Sequence, residues 1–235
     1  MTQPSVTAVM LTADRHELAV KAIEYFRAQT YENKRLLIYD TGKTWLRETM
    51  EIPAGVDDFP MHGVPKAPIG SLRNWANRLG EGEIIVTWDD DDYSAPTRIA
   101  EQVAFLRESG AQAVGYSEMP FWDVRVNESW IFDTRHPALV LGTSLCYPRA
   151  VWERYNFRPT LTGRGEDTDF LQRVRCQSHP LIACGKPQMI ARIHDGNSVN
   201  PGYSPEEMDR NSRLPIPQWK RAPELRHTCE EIFGR

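Results

Sequence analysis

This 235-residue chain has only four cysteines, no long apolar run and no excess of basic residues. Each shortage closes off a class of function. Cys146, Cys176, Cys184 and Cys229 are widely spaced with no CxxC pair, which argues against a zinc site or a disulfide framework and suits reduced, individually buried thiols. No apolar stretch approaches the ~20 residues that a membrane-spanning helix needs. The opening MTQPSVTAVML carries no basic region before its short apolar run, so a signal peptide is not expected and a cytoplasmic location is. Net charge is −4, with Lys and Arg spread along the sequence, so bulk electrostatics provides no basic face for nucleic acid. Internal repeats and low-complexity segments are also missing. What is left, 40% apolar and 26% charged, is the composition of one soluble domain able to bury a real core.

Against this background one segment stands out. Residues 88–93 read WDDDDY and follow directly on the apolar run Ile84-Ile85-Val86-Thr87. A β-branched run of this kind is expected to be a buried strand, so its end delivers Asp89, Asp90, Asp91 and Asp92 to the edge of a sheet. Side chains alternate along an extended backbone, which should send Asp89 and Asp91 to one side. Carboxylates crowded there repel unless a cation lies between them, and Mg²⁺ or Mn²⁺, often with phosphates, is the natural partner. The plainer alternative is a solvated acidic turn that starts the next helix, with Ser94 as cap and Pro96 in the first turn.

The surrounding pattern is one of alternating strands and helices. Strands are expected at Val6–Leu11, Arg35–Tyr39 and Glu83–Trp88, and helices at 16–29, 69–79 and 96–107. Residues 43–67 look irregular, with at most a short strand near 59–61. This order argues for an open α/β sheet of the nucleotide-binding kind over residues 1–110. Residues 111–200 look like an acceptor-type half: short, partly antiparallel strands at 113–117, 121–126 and 129–133, an apolar run at 139–147, helices at 148–154 and 166–176, and a strand at 189–193. Residues 201–235 read as loosely packed helical segments. No linker divides the chain, so a single domain over residues 1–235 is expected.

Ligands of open α/β sheets bind at the carboxyl ends of the strands. Asp14, Asp40 and the aspartate run all fall there. Asp40 could accept hydrogen bonds from a base or ribose, or simply hold its own Asp-Thr-Gly turn. Arg73, near the start of a helix, could reach a phosphate or stand exposed. Glu166 and Asp167 in GRGEDTDF (163–170) sit in a first helical turn, where the dipole favours carboxylates with or without a functional role. His194, in Arg192-Ile-His194-Asp-Gly-Asn197, could complete a metal site or be a surface residue. Trp122, Trp130, Trp152 and Tyr155 could stack on an acceptor or belong to the core.

Together these pieces resemble the family-two glycosyltransferases of the GT-A fold. VTAVMLTADRHELAVKAIEYFRAQTYENKRLLIYDTG is similar to that family's opening strand–helix–strand. GSLRNWANRLGEGEIIVTWDDDDYSAPTRIAEQVAFL resembles its arginine-bearing helix, strand and DxD motif, while GEDTDFLQRV and HDGNS resemble its later motifs. The resemblance spans about residues 5–200. It implies a single Rossmann-like mixed sheet flanked by helices, a nucleotide-diphosphate-sugar donor, Mn²⁺ or Mg²⁺, and inverting transfer to an acceptor hydroxyl. The acceptor is left open among glycan, lipid, protein and modified nucleic-acid base. By position, Thr12, Asp14 and Asp40 would line the nucleoside pocket, with Arg73 near base or phosphate. Asp89 and Asp90 would lie on the donor, Asp91, Asp92 and His194 on the metal, and Asp167 would be the general base. The chain departs from the pattern at LTADR and at Asp-Thr-Gly, both touching the nucleoside pocket. Alternative readings are a nucleotidyl or phosphosugar transferase and a non-catalytic nucleotide-sugar-binding module. The first would want a Gly-rich, basic loop after the opening strand, and LTADRHELAV has no glycine.

Overall fold

Alternate residues of the first strands are buried on opposite faces, Ala8 and Met10 with Leu36 and Ile38 on one, Val9 with Leu37 and Tyr39 on the other. A sheet covered on both faces needs such near-continuous apolar strands. The computed structural model describes residues 3–61, 67–135, 139–159, 165–176, 181–183, 188–196, 203–212 and 218–234. Its first half runs β1 (Val6–Thr12), α1 (His16–Arg27), β2 (Lys34–Asp40), α2 (Leu46–Thr49), β3 (Val56–Pro60), α3 (Ile69–Leu79), β4 (Ile84–Thr87), β5 (Tyr93–Ser94) and α4 (Arg98–Ser109). The second continues with β6 (Ala113–Gly115), β7 (Glu118–Asp123), β8 (Glu128–Asp133), a 3-10 turn at Gly142–Ser144, β9 (Cys146–Pro148), α5 (Arg149–Tyr155), α6 (Glu166–Cys176), β10 (Leu181–Ala183) and β11 (Met189–Ile193). Last come α7 (Pro205–Ser212), β12 (Trp219–Arg221), a 3-10 turn at Pro223–Leu225 and α8 (Arg226–Phe233).

The main sheet has the order β10-β6-β9-β4-β1-β2-β3. β1 pairs in parallel with both β2 and β4, so the loops that follow β1 and β4 emerge side by side at one edge. β9 enters antiparallel between β4 and β6, making the sheet mixed as expected. A second sheet, β12-β8-β7-β11-β5, stands beside it. The aspartate run lies between β4 of the first sheet and β5 of the second, and so bridges the two.

Several expected boundaries shift. Residues 43–67 contain a short helix, α2, and their strand begins at Val56. β7 ends at Asp123, because Asn127 adopts φ +56° to close the hairpin into β8, a conformation that a short amide side chain tolerates. The apolar run at 139–147 is broken by its 3-10 turn. The C-terminal segment is not purely helical: β12 pairs antiparallel with β8, and Ala222 and Cys229 are fully buried. Cys146 and Cys229 are free, buried thiols. Gly163, Arg164, Cys184 and Asn197, and the side chain of Cys176, lie outside the described residues. Among the described residues no helix is long and apolar enough to cross a membrane.

Candidate active site

The aspartate run keeps a strand-like alternation beyond the end of β4. Asp90 and Asp92 are buried, whereas Asp89 and Asp91 are half-buried towards a cavity. Every one of the four carboxylates has a polar neighbour. Asp89 lies 3.9 Å from Arg73 Nη2, and Asp90 Oδ2 accepts from Thr12 Oγ1 at 2.7 Å. Arg15, from the loop leaving β1, reaches Asp90 Oδ1 at 2.6 Å and Asp91 Oδ2 at 3.0 Å. The first of these contacts is close in charge but off-line as a hydrogen bond. Asp91 Oδ2 also meets His194 Nε2 at 3.0 Å. Asp92 accepts from Thr143 Oγ1 at 2.7 Å and from the Arg192 backbone amide at 3.1 Å.

These surroundings tune each carboxylate separately. Burial pushes the Asp90 carboxyl up to about 7, and Arg15 and Thr12 only partly offset it. Burial likewise pushes Asp92 well above the usual carboxylate range. It also opposes the charge on Asp91, but His194 and Arg15 outweigh it and hold that group low. Beneath the run the fully buried Arg98 guanidinium donates to Thr87 O (2.8 Å), Ser94 Oγ (2.9 Å) and Thr143 O (3.2 Å) and lies over the Trp88 ring. Burial lowers its pKa.

Across the cavity, the first turn of α6 presents Glu166 and Asp167. Glu166 is buried and pairs with Arg73 Nε at 3.1 Å. Burial raises the Glu166 pKa while Arg73 pulls it down. Burial works against the Arg73 charge too, but Asp89 and Glu166 more than compensate and raise its pKa. Asp167 lies against Gly142: a Cβ there would stand 2.6 Å from its Cγ, so the 3-10 turn must present a glycine. Between these walls is a cavity of about 570 Å³ whose lining includes Arg15, Arg73, Asp89 to Asp92, Glu166 and Asp167. Such a volume suits a small-molecule site.

Not every expected residue opens into the cavity. Asp40 is fully buried, accepting from the amides of Gly42 (2.9 Å) and Leu46 (3.0 Å). Asp14, at φ +53°, accepts from the Lys43 amide at 2.7 Å and pins the following loop. Both carboxylates hold the backbone around the ends of β1 and β2, and neither lines the cavity. Thr12 and His194 are also absent from its lining and act on it through Asp90 and Asp91. Trp122, Trp130, Trp152 and Tyr155 are core residues. Sequence reasoning missed Arg15, Gly142 and Thr143. The only signal was an arginine directly after Asp14 at a strand end.

No protein-family model matches the chain. Over 117 residues it is 27% identical to WcaA of Escherichia coli (strain K12), a glycosyl transferase assigned to colanic acid biosynthesis; the match covers 48% of this chain and 42% of WcaA. Staphylococcus aureus TarS 1-349 in complex with UDP-GlcNAc superimposes with a TM-score of 0.67 at 15% identity, over 88% of this chain and 64% of that one. The mannosyltransferase PcManGT from Pyrobaculum calidifontis, in complex with GDP-Man and Mn²⁺, superimposes with a TM-score of 0.62 at 15% identity, over 100% and 66%.

The chain has the GT-A glycosyltransferase fold.

It spans about two fifths of WcaA and under two thirds of the TarS and PcManGT chains. Whether this GT-A site could hold a divalent cation is a question of donor chemistry. Carboxylate oxygens and an imidazole suit Mg²⁺ or Mn²⁺. Yet among the described residues no three His, Cys, Asp or Glu side chains converge as a ready metal cage. Arg15 instead supplies positive charge between Asp90 and Asp91. Among the described residues the cavity lining carries seven carboxyl groups, counting Asp209, against three arginines, and burial disfavours the charge on two of the seven, Asp90 and Asp92. Arg15 and Arg73 are already paired, and Arg192 lies over the Phe233 ring. A diphosphate entering this cavity would meet net negative charge, which a divalent cation would relieve. In charge and in donor type the lining suits such an ion, although among the described residues its donors are not gathered into a cage.

Proposed function

We propose that the protein is a metal-dependent, inverting glycosyltransferase that moves a sugar from a nucleoside-diphosphate sugar to an acceptor hydroxyl. The observation that carries this reading is the convergence of the aspartate run, the Arg73–Glu166 pair and Asp167 on one cavity of a GT-A fold. Asp91, Asp92 and His194 would hold Mn²⁺ or Mg²⁺, which when bound would neutralise the donor diphosphate. Asp89 and Asp90 lie on the donor side, Arg73 near its base or phosphate, and Thr12, Asp14 and Asp40 shape the nucleoside end. The three last act through the loop and through Asp90, in keeping with their contacts. Asp167 takes the proton from the acceptor hydroxyl as its oxygen bonds to the anomeric carbon. The bond from that carbon to phosphate oxygen breaks, and its electron pair leaves with the nucleoside diphosphate. Attack opposite the leaving group inverts the centre. A cytoplasmic location belongs to the same proposal, in keeping with the free thiols Cys146 and Cys229.

A nucleotidyl or phosphosugar transferase is less well supported, because the loop after β1 is pinned by Asp14 and offers one arginine, itself engaged with Asp90 and Asp91. The test separates binding from chemistry. Titrating UDP and GDP sugars calorimetrically with Mn²⁺ and then with excess EDTA should give binding only with the ion. Asp167→Asn should keep donor affinity while transfer falls by about 10²–10⁴-fold, the cost of losing a general base. Metal-independent donor binding would sink the site assignment, and wild-type turnover in the variant would leave Asp167 as a helix-terminus carboxylate.

A further inference from the structure

We infer that Phe121, Phe132 and Trp219 form a shelf on which the acceptor's sugar ring lies, so that the acceptor is an uncharged carbohydrate. The inference rests on the glycosyltransferase reading for which wall of the cavity the donor takes. The cross-strand register sets the shelf. Phe121 of β7 lies opposite Trp130 of β8, and Phe132 of β8 lies opposite Trp219 of β12, so all four share one face of the second sheet. Trp130 is covered there by Arg221, whose guanidinium lies 4.9 Å from the ring centroid. Trp122, on the other face, stacks on Phe233 of α8.

The three remaining rings are half-buried and line the cavity. The Trp219 ring lies 4.8 Å from both Phe121 and Phe132, and those two are 6.2 Å apart, all at steep interplanar angles. They therefore brace one another and do not stack into a closed pile. Aromatic surface facing a water-filled cavity is unfavourable unless a ligand covers it. The indole is also held in place, because Asp209 of α7 accepts from the backbone amides of Gln218 (2.8 Å) and Trp219 (3.0 Å), fixing the start of β12.

The class of ligand follows from what surrounds the rings. A pyranose offers a C–H face to an aromatic ring and hydroxyls to nearby carboxylates and amides, which Asp209 and Gln218 provide at the rim. Nucleic acid and anionic lipid head groups could also bring a stackable or apolar portion. Both would carry phosphates into a lining whose described residues include seven carboxyl groups and three arginines, while the chain as a whole is at −4. A neutral sugar carries no such penalty.

The probe is a set of methyl pyranosides and neutral disaccharides of glucose, galactose, mannose and N-acetylglucosamine. Binding is followed by saturation-transfer NMR and titration, with and without Mn²⁺ plus UDP or GDP. Wild type should bind at least one of them. Trp219→Ala and Phe132→Leu should weaken that binding about tenfold, equivalent to losing one aromatic contact. Trp219→Phe keeps a ring and should retain most of the affinity, and it serves if the alanine variant folds poorly. Affinity for UDP or GDP with Mn²⁺ should be the same in all four proteins. No sugar bound by wild type, sugar bound equally by the variants, or preferential binding of a short oligonucleotide or peptide would overturn the shelf. Loss of nucleotide binding in wild type would instead strike the donor reading, and the sugar titration would still decide the shelf by itself.

Discussion

Gly142 and Asp167 show how the placing of a proposed base can hang on one absent methyl group. The carboxylate occupies the space that a Cβ at residue 142 would fill, 2.6 Å from Asp167 Cγ. Gly142→Ala should therefore swing Asp167 away while leaving the donor wall untouched. Transfer should fall by at least about tenfold, since small misplacements of a catalytic group are costly. Donor affinity should hold, and stability should drop by about 1–3 kcal/mol, as for other insertions into packed sites. Equal turnover in the variant would mean that the position of Asp167 is not critical. At this scale the sequence was legible wherever unusual residue types sat at strand or helix ends, as with Asp89 to Asp92 and Glu166-Asp167. It was ambiguous for Asp14 and Asp40, because a short carboxylate after a strand serves a ligand or its own turn equally well. It was silent on Thr143 and Gly142 and gave only a faint signal for Arg15, because their roles exist only through contacts between distant segments, such as the 51 positions from Asp92 to Thr143.

Among the elements, α4 does more than cover the sheet. Its Arg98 gathers the end of β4 (Thr87 O), the second residue of β5 (Ser94) and the 3-10 turn carrying Thr143, which in turn holds Asp92. Arg98→Leu would keep apolar volume but strand two buried carbonyls and a hydroxyl. The expected loss is about 3–5 kcal/mol, as when one member of a buried charged network is removed. Chemical denaturation measures it directly, and a change below about 1 kcal/mol would reduce Arg98 to a space-filler. Elements with a strong periodic face, α3, α6 and β11, were readable from the sequence to the residue. The two edge strands of the second sheet were not. β5 and β12 have two and three residues, too short for any alternation to register, and they become strands only by pairing with β11 and β8.

At the scale of the molecule, the two sheets are stitched together at several points. The aspartate run passes from β4 to β5, the Tyr25 and Tyr93 rings meet edge-on at 5.0 Å, and Tyr25 Oη donates to Ile232 O of α8 at 3.2 Å. Connections of this kind are expected to make the sheets unfold as one cooperative unit. In EDTA-containing buffer, tryptophan fluorescence and far-UV circular dichroism should report a single coincident unfolding transition. Two separated midpoints would mean that the second sheet folds independently. The α/β class and the parallel pairing of β1 with β2 and β4 follow from the alternation of elements, whereas the way the second sheet closes over the site depends on pairings that no local pattern encodes.

Arg15 gives the fold an unusual kind of independence. Acidic clusters built for cations commonly leave a protein hostage to the supply of the ion, because the carboxylates repel until it arrives. Here the chain brings a counter-charge of its own, placed within 3.0 Å of both Asp90 and Asp91. Folding need not wait for metal, and if the proposed metal-dependent transfer is right, starvation for the ion would stop turnover while leaving the fold whole. A divalent ion taking up this site would enter as the successor to a resident guanidinium, and an arginine released at that moment would already stand beside the incoming diphosphate.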